Sequence, residues 1–326
     1  MPTTRTEADR IVPVTETRAG ALGPSRTGQG AGLALGLLSA MCFGTSGTFG
    51  SVLISAGWSP AGAVLARVCV AAVVLTVPAL LALRGRWASL RASGWLVTGY
   101  GLVGVAACQV CYFNAIARMD VGISILLEYL GIVLVVGWLW IRHGQRPRPL
   151  TVGGGVAALT GLALMLDLTG SGGVSVTGVL WALAAAVSMA VYFFLSATPA
   201  SSRQALPPVV LTWGGMVTGA VSIALVGAAH LLPLRFTASD VTLVHARVTW
   251  VLPVLGLGVV AAALAYVMGI GAVRRLGAKL GSFVAMAEVL FAAGFAWLLL
   301  HQVPTGLQFL GGMLILAGVV AVRLDE

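Results

Sequence analysis

Charge is scarce in this chain: only 9% of its 326 residues are Asp, Glu, Lys or Arg, and just ten are acidic. A soluble globular protein carries about 25% charged residues, so a conventional water-facing surface is excluded for most of the sequence. Cysteine and histidine are equally rare, at four each. Cys42, Cys69, Cys108 and Cys111 all fall within apolar runs, and no pair occupies a loop where a disulfide would form readily. Cys108 and Cys111 form a C-x-x-C, which on an apolar helix without neighbouring His reads as small residues filling a helix interface. His143, His230, His245 and His301 lie at helix ends or in loops without helical ligand spacing, so no metal site is expected. A P-loop with its Lys is missing, which excludes ATP-driven work by this chain alone. Neither Gly-x-Ser-x-Gly nor His-Glu-x-x-His occurs, so common hydrolase and zinc-peptidase chemistry has no foothold. No cofactor is implied.

Apolar sequence is abundant: 59% of residues are hydrophobic, and the mean hydropathy is +1.00. Runs nearly free of charge cover about 31 to 56, 60 to 83, 94 to 116, 121 to 141, 150 to 166, 176 to 197, 208 to 233, 249 to 272, 280 to 300 and 304 to 322. Each has roughly the 17 to 25 residues that a spanning helix needs. Alternating segments of about 10 residues, the mark of a barrel, are absent. Helices are then the way to satisfy backbone polar groups in hydrocarbon. The expected fold is therefore an all-α membrane protein of ten transmembrane helices.

The net charge of +9 follows loops and does not concentrate in a basic domain, so nucleic acid is not an expected partner. With the amino terminus inside, fifteen of the nineteen Arg and Lys fall on inner tails and loops, against Arg118, Arg235 and Arg247 outside and Arg67 within a run. The positive-inside rule then places both termini in the cytoplasm, and a multi-pass protein of the inner membrane is the expectation. Residues 1–30 are polar with no apolar core, and read as a disordered cytoplasmic tail rather than a cleavable signal peptide.

Helices one to five span 31–167 and six to ten span 176–323, with a Gly- and Ser-rich outer linker at 168–175. An odd number of helices per half makes the second half enter from the opposite side, so the repeat is inverted. Cys42 and Ser46 follow Gly32 at the spacing with which Ser188 and Tyr192 follow Gly178, each pair on one helix face. Tyr112 and Tyr266 both stand in third helices ahead of a basic turn.

The two fourth helices carry Glu128 and Glu288, each a lone acid in an apolar run. A charged residue at the bilayer centre costs at least ~2.5 kcal/mol even on lenient scales. Glu128 lies seven residues into a helix entering from outside and Glu288 eight residues into one entering from inside. At 1.5 Å per residue both reach the middle third of a core about 30 Å thick, roughly 8 Å apart along its normal. Sites near the midplane between inverted repeats are a recurrent plan of secondary transporters.

The order and spacing of three segments carry a resemblance over 31–323. They are Ala66-Arg67-Val68-Cys69, the stretch Gly122-Ile123-Ser124-Ile125-Leu126-Leu127-Glu128-Tyr129-Leu130-Gly131, and Arg275-Leu276-Gly277 leading to Met286-Ala287-Glu288. With ten helices in two five-helix repeats, the sequence resembles the EamA-type transporters of the drug/metabolite transporter superfamily. The first Glu segment is most similar to amino-acid exporters of the threonine and homoserine type. Their pattern has Pro where Ile132 stands, and the family often has Pro where Val289 stands. A missing Pro removes a helix kink and its freed carbonyl. The resemblance implies export of a small metabolite, an amino acid or related compound, by alternating access, and no enzymatic activity.

Glu128 and Glu288 are candidates for proton handling or gating, against the alternative of neutral hydrogen-bonded groups between helices. Arg67, seven residues into helix two, reads as a snorkelling or structurally paired side chain, with Glu128 or a substrate carboxylate as alternative partners. Candidate cavity residues are Thr45, Ser46, Gln109, Tyr112, Asn114, Trp181, Ser188, Tyr192, Trp213 and Tyr266, because sparse polar points on aromatic walls suit small amphiphilic ligands. Tyr100, Trp58 and Trp250 read as interfacial anchors. A polytopic transferase is the rival class, resting on Arg235, Asp240, His245 and Arg247 in one loop; a sensor or structural subunit is the third. The expected partners are a small-molecule substrate and the lipid bilayer, with the chain as a monomer.

Overall fold

A computed structural model describes residues 26–118, 121–144, 146–165, 175–197, 206–243, 246–300 and 305–325. Nearly all of this is helical. Among the described residues eight helices are long and apolar enough to cross a membrane: Gly28–Ser55, Pro60–Ala82, Gly94–Ile116, Ser124–Arg142, Val176–Ser196, Pro208–Ala228, Val251–Ala285 and Gly306–Leu324. The difference from ten runs has two local causes. The expected fifth helix is described only over Pro149–Met165, beyond which the described residues stop, and the expected eighth and ninth helices are joined through Gly277. That residue has φ 80 and ψ 167, which is not helical. The chain folds back there, because an added Cβ on Gly281 would come within 2.9 Å of Val273. Most of the expected tail and linker, 1–25 and 168–174, lies outside the described residues.

Lipid-facing chemistry is visible in what stays exposed. Val73, Val77, Trp95, Ile141 and Phe309 point outward from helices, while Arg67, Gln109, Asn114 and Ser124 are buried. That arrangement inverts the usual soluble pattern and matches helices in hydrocarbon, where polar groups turn to the bundle interior.

Each half packs into the other in matched pairs. The first helix, Arg26–Gly44, lies on the Ala265–Ala285 and Ala287–Leu300 helices, and Val176–Ser196 lies correspondingly on Cys108–Ile116 and Val121–Tyr129. Pro60–Leu83 packs on Pro208–Ala228, where Trp213 Nε1 donates to Thr76 Oγ1 at 3.1 Å. The last helix of each half, Pro149–Met165 and Gly306–Leu324, pack on one another. Glycine permits that approach: an added Cβ on Gly161 would stand 2.5 Å from the Gly311 carbonyl oxygen, and one on Gly318 would collide with that of Gly154.

The repeat extends to irregularities. The third helix of each half contains a π-helical stretch, Tyr100–Ala107 and Gly256–Leu264. The fourth helices are each interrupted once, at Leu130 and at Met286. There the backbone N–H reaches back three residues, Leu130 to Leu127 at 3.2 Å and Met286 to Phe283 at 3.1 Å. Both interruptions occur although Ile132 and Val289 replace proline, so proline is not what breaks these helices. Packing offers the alternative cause at the first: an added Cβ on Gly131 would stand 2.5 Å from the Ala186 carbonyl oxygen, so the neighbouring helix sits directly against the break.

Candidate functional site

The two interrupted helices, the first helix of each half and both third helices enclose a cavity of about 90 Å³ between the halves. Glu128 and Glu288 both line it. Glu128 stands two residues before the Leu130 interruption and Glu288 two residues after the Met286 interruption, so the acids approach one cavity from non-equivalent positions. Their immediate partners differ as well. Glu128 Oε1 lies 3.6 Å from the Cys108 thiol. Glu288 Oε2 lies 3.1 Å from the Tyr129 hydroxyl, which is also 2.9 Å from the Ala285 carbonyl oxygen. A tyrosine hydroxyl has one proton to donate, and Ala285 and Glu288 compete for it unless Glu288 carries a proton of its own.

Of the other residues singled out from the sequence, Ser46, Gln109, Tyr112, Tyr192 and Tyr266 also line the cavity. Tyr192 and Tyr266 meet edge to face at 5.6 Å, and Phe43 packs on Tyr266 at 5.1 Å, so one wall is aromatic. Arg67 stands behind that wall. It does not snorkel: it is only 1% exposed. Its Nη1 donates to Ser46 Oγ at 2.8 Å and Gln109 Oε1 at 2.6 Å, and its Nη2 to the Ala261 carbonyl in the second π-helical stretch. Its guanidinium carbon is 5.9 Å from the Phe43 ring centroid. No ion pair within 4.0 Å joins Arg67 to either glutamate, so its expected pairing with Glu128 is replaced by neutral oxygens.

Five candidates stand outside this cavity. Thr45 turns its hydroxyl back to the Cys42 carbonyl at 2.7 Å, where the first helix is interrupted. Ser188 does the same to Ala184 at 2.9 Å. Asn114 bonds the Val110 carbonyl and accepts from Arg118, both at 2.8 Å. Trp181 lies beneath Arg118, with 6.0 Å between guanidinium and ring centroid. Trp213 is held by Thr76 as described above. Conversely, Tyr100 is no interfacial anchor. It is fully buried, its ring 5.7 Å from Tyr192 and 6.4 Å from Tyr266. Trp58 is buried too, donating to the Thr237 carbonyl at 2.8 Å. Cys108, Tyr129 and Ser39 line the cavity without having been singled out for it. Tyr129 left a trace in the sequence as the aromatic residue following the acid, and Cys108 as half of a C-x-x-C read only as helix-interface packing.

The sequence matches the EamA-like transporter family twice, over 30–167 and over 176–324. The chain belongs to the EamA-like transporter family. A curated relative, the uncharacterized inner membrane transporter YicL of Salmonella typhimurium, is 23% identical over 231 residues, 70% of this chain and 72% of that protein. A solved crystal structure superposes with a TM-score of 0.71 at 24% identity, covering 91% of this chain and 98% of the other, which establishes a shared fold. Two EamA repeats and apolar helices with exposed hydrophobic faces make this a multi-pass membrane transport protein.

Proposed function

We propose that this EamA-like protein is a secondary transporter that exports a small metabolite, an amino acid or related compound, across the inner membrane by alternating access. The observation that carries the reading is the shared cavity: Glu128 and Glu288, from the interrupted helices of two repeats, line the same space. In this reading ten helices cross as two inverted halves with both termini in the cytoplasm, and rocking of one half against the other opens the cavity to each side in turn. The matched interruptions and π-helical stretches support it, since such irregularities supply the flexible points and exposed backbone groups that moving helices use.

Charge bookkeeping supports proton handling. With both carboxylates ionised, Arg67, Glu128 and Glu288 together carry one net negative charge in a site of low dielectric. Uncompensated charge is costly there, and one proton removes it. The aromatic wall and the hydroxyls of Ser39, Ser46 and Tyr112 supply the substrate contacts in this reading.

A transferase is disfavoured by the family and because none of its supposed cluster lines the cavity; of that cluster His245 lies outside the described residues. Arg247 pairs with Thr242 across the short hairpin formed by Val241–Leu243 and Ala246–Val248, and the cavity lies elsewhere. The test is reconstitution of the purified chain in liposomes loaded with labelled amino acids, with and without an imposed pH gradient. Efflux accelerated by the gradient is expected. No movement of any amino acid or related metabolite, with or without the gradient, contradicts the reading.

A further inference from the structure

A second cleft of about 910 Å³ opens where helix ends and turns meet, its lining residues Phe194 and Lys279 standing one and two residues from Phe193 and Gly281 of the first cavity. Its lining combines two kinds of residue. Arg146, Arg148, Arg275 and Lys279 supply the basic part, with Asp325 the single acid. Asp325 is already engaged: its carboxylate accepts from the Thr151 hydroxyl and lies 4.0 Å from Arg148 Nη1, which also donates to its carbonyl at 2.9 Å. Arg146 and Arg275 are exposed, and among the described residues neither belongs to an ion pair. Arg275 is held in place from below, Nη1 donating to the Gly271 carbonyl at 2.7 Å.

Another part of the lining is aromatic. Trp138 and Phe194 face one another with centroids 6.1 Å apart, and both line the cleft. Trp138 is 53% exposed, and Trp140 and Ile141 on the same helix end are exposed at 51% and 85%, so this side opens laterally onto the apolar surface of the bundle. Tryptophan at such a helix end belongs to the headgroup level of a bilayer. A soluble anion would use only the basic part. An amphiphile uses both.

We infer that this cleft binds the phosphodiester headgroup of an anionic phospholipid, with the phosphate at Arg146, Arg275 and Lys279 and the start of the acyl chains against Trp138. Arginine forks fit phosphate oxygens in pairs, and basic pockets between membrane helices are suited to anionic headgroups. The inference depends on the chain lying in a membrane and not on what it transports, so it survives or fails independently of the transport reading.

The full chain in detergent micelles, titrated with phosphatidylglycerol, phosphatidylcholine or inorganic phosphate and read by native mass spectrometry, tests it. Phosphatidylglycerol should bind at least tenfold more tightly than phosphatidylcholine. Arg146→Gln with Arg275→Gln should weaken it at least about tenfold, each lost contact being worth several-fold in affinity. Arg84→Gln with Arg91→Gln, which removes equal charge from exposed positions elsewhere, should change it less than twofold. The single variant Arg146→Gln, at an exposed turn, should lose several-fold, and Trp138→Ala should weaken the lipid while leaving inorganic phosphate unaffected. Equal loss in both arginine pairs would reduce the effect to general attraction and overturn the site. Equal binding of phosphatidylcholine would overturn it too, as would displacement of the lipid by millimolar phosphate, which would mark a soluble-anion site instead.

Discussion

Arg67 donates to Ser46, Gln109 and the Ala261 carbonyl, and so ties together three elements besides its own helix Pro60–Leu83. Two of those partners line the cavity, so Arg67 fixes the wall without touching the space. A lysine carries one nitrogen in place of a planar fork and cannot meet all three acceptors in the same geometry. Each hydrogen bond to a charged group contributes about 1.5–3 kcal/mol, so Arg67→Lys should lower Tm in thermal unfolding and abolish most transport. An unchanged Tm would show that the three bonds hold nothing together. Tyr129→Phe removes the hydroxyl that joins Glu288 to the Ala285 carbonyl. It should cost only about 1 kcal/mol of stability, yet reduce transport severalfold, which separates a working link from a merely structural one. At this scale the sequence displayed what lipid makes expensive, the buried acids and Arg67. It hid Ser39 and gave Tyr100 and Cys108 other places, an interfacial anchor and a helix-interface filler, because an aromatic ring, a thiol or a hydroxyl costs little on an apolar helix and its partner is not written in the run. Arg67 was half legible: its depth could be counted, but acceptors from three distant segments could not.

At the scale of elements, apolar runs located the helices well, since length and hydropathy are what hydrocarbon selects. The points where they bend were less visible. Leu130 and Met286 interrupt the fourth helices without proline, the first where Gly131 lies against the Ala186 carbonyl of the other half. Gly277 ends one helix and begins another with φ 80, a conformation open to glycine and costly for side-chain-bearing residues. No atom lies within 4 Å of an added Cβ there, so Gly277→Ala isolates the backbone strain. It should destabilise by about 1–3 kcal/mol, readable as a fall in Tm with the fold retained. A neutral substitution would mean that the turn relaxes into another geometry. Between the last helices of the two halves, Gly161 stands against the Gly311 carbonyl and Gly318 against that of Gly154, and composition alone could not have named those partners.

For the whole molecule, the pairing of helices across the halves is the property that a repeat legible in the sequence could imply but not display. The first helix of each half lies on the third and fourth helices of the other, so a shift of one half must reshape the cavity that both line. Inverted halves with both termini in the cytoplasm make a separate prediction. Single cysteines introduced near residue 30 and near residue 323 should both be protected from a membrane-impermeant thiol reagent in intact cells, while one near Arg235 is labelled. Labelling at only one terminus would exclude an even number of crossings. The offset of Glu128 and Glu288 about their interruptions gives the halves unlike acids within a like frame, one beside a thiol and one held by Tyr129. Two roles at one cavity follow from that asymmetry. The most direct measurement is substrate efflux from liposomes under an imposed pH gradient for the chain carrying Glu128→Gln and Glu288→Gln together. The account predicts that this double variant, still folded, loses all gradient-driven acceleration; acceleration equal to that of the unmodified chain would contradict it.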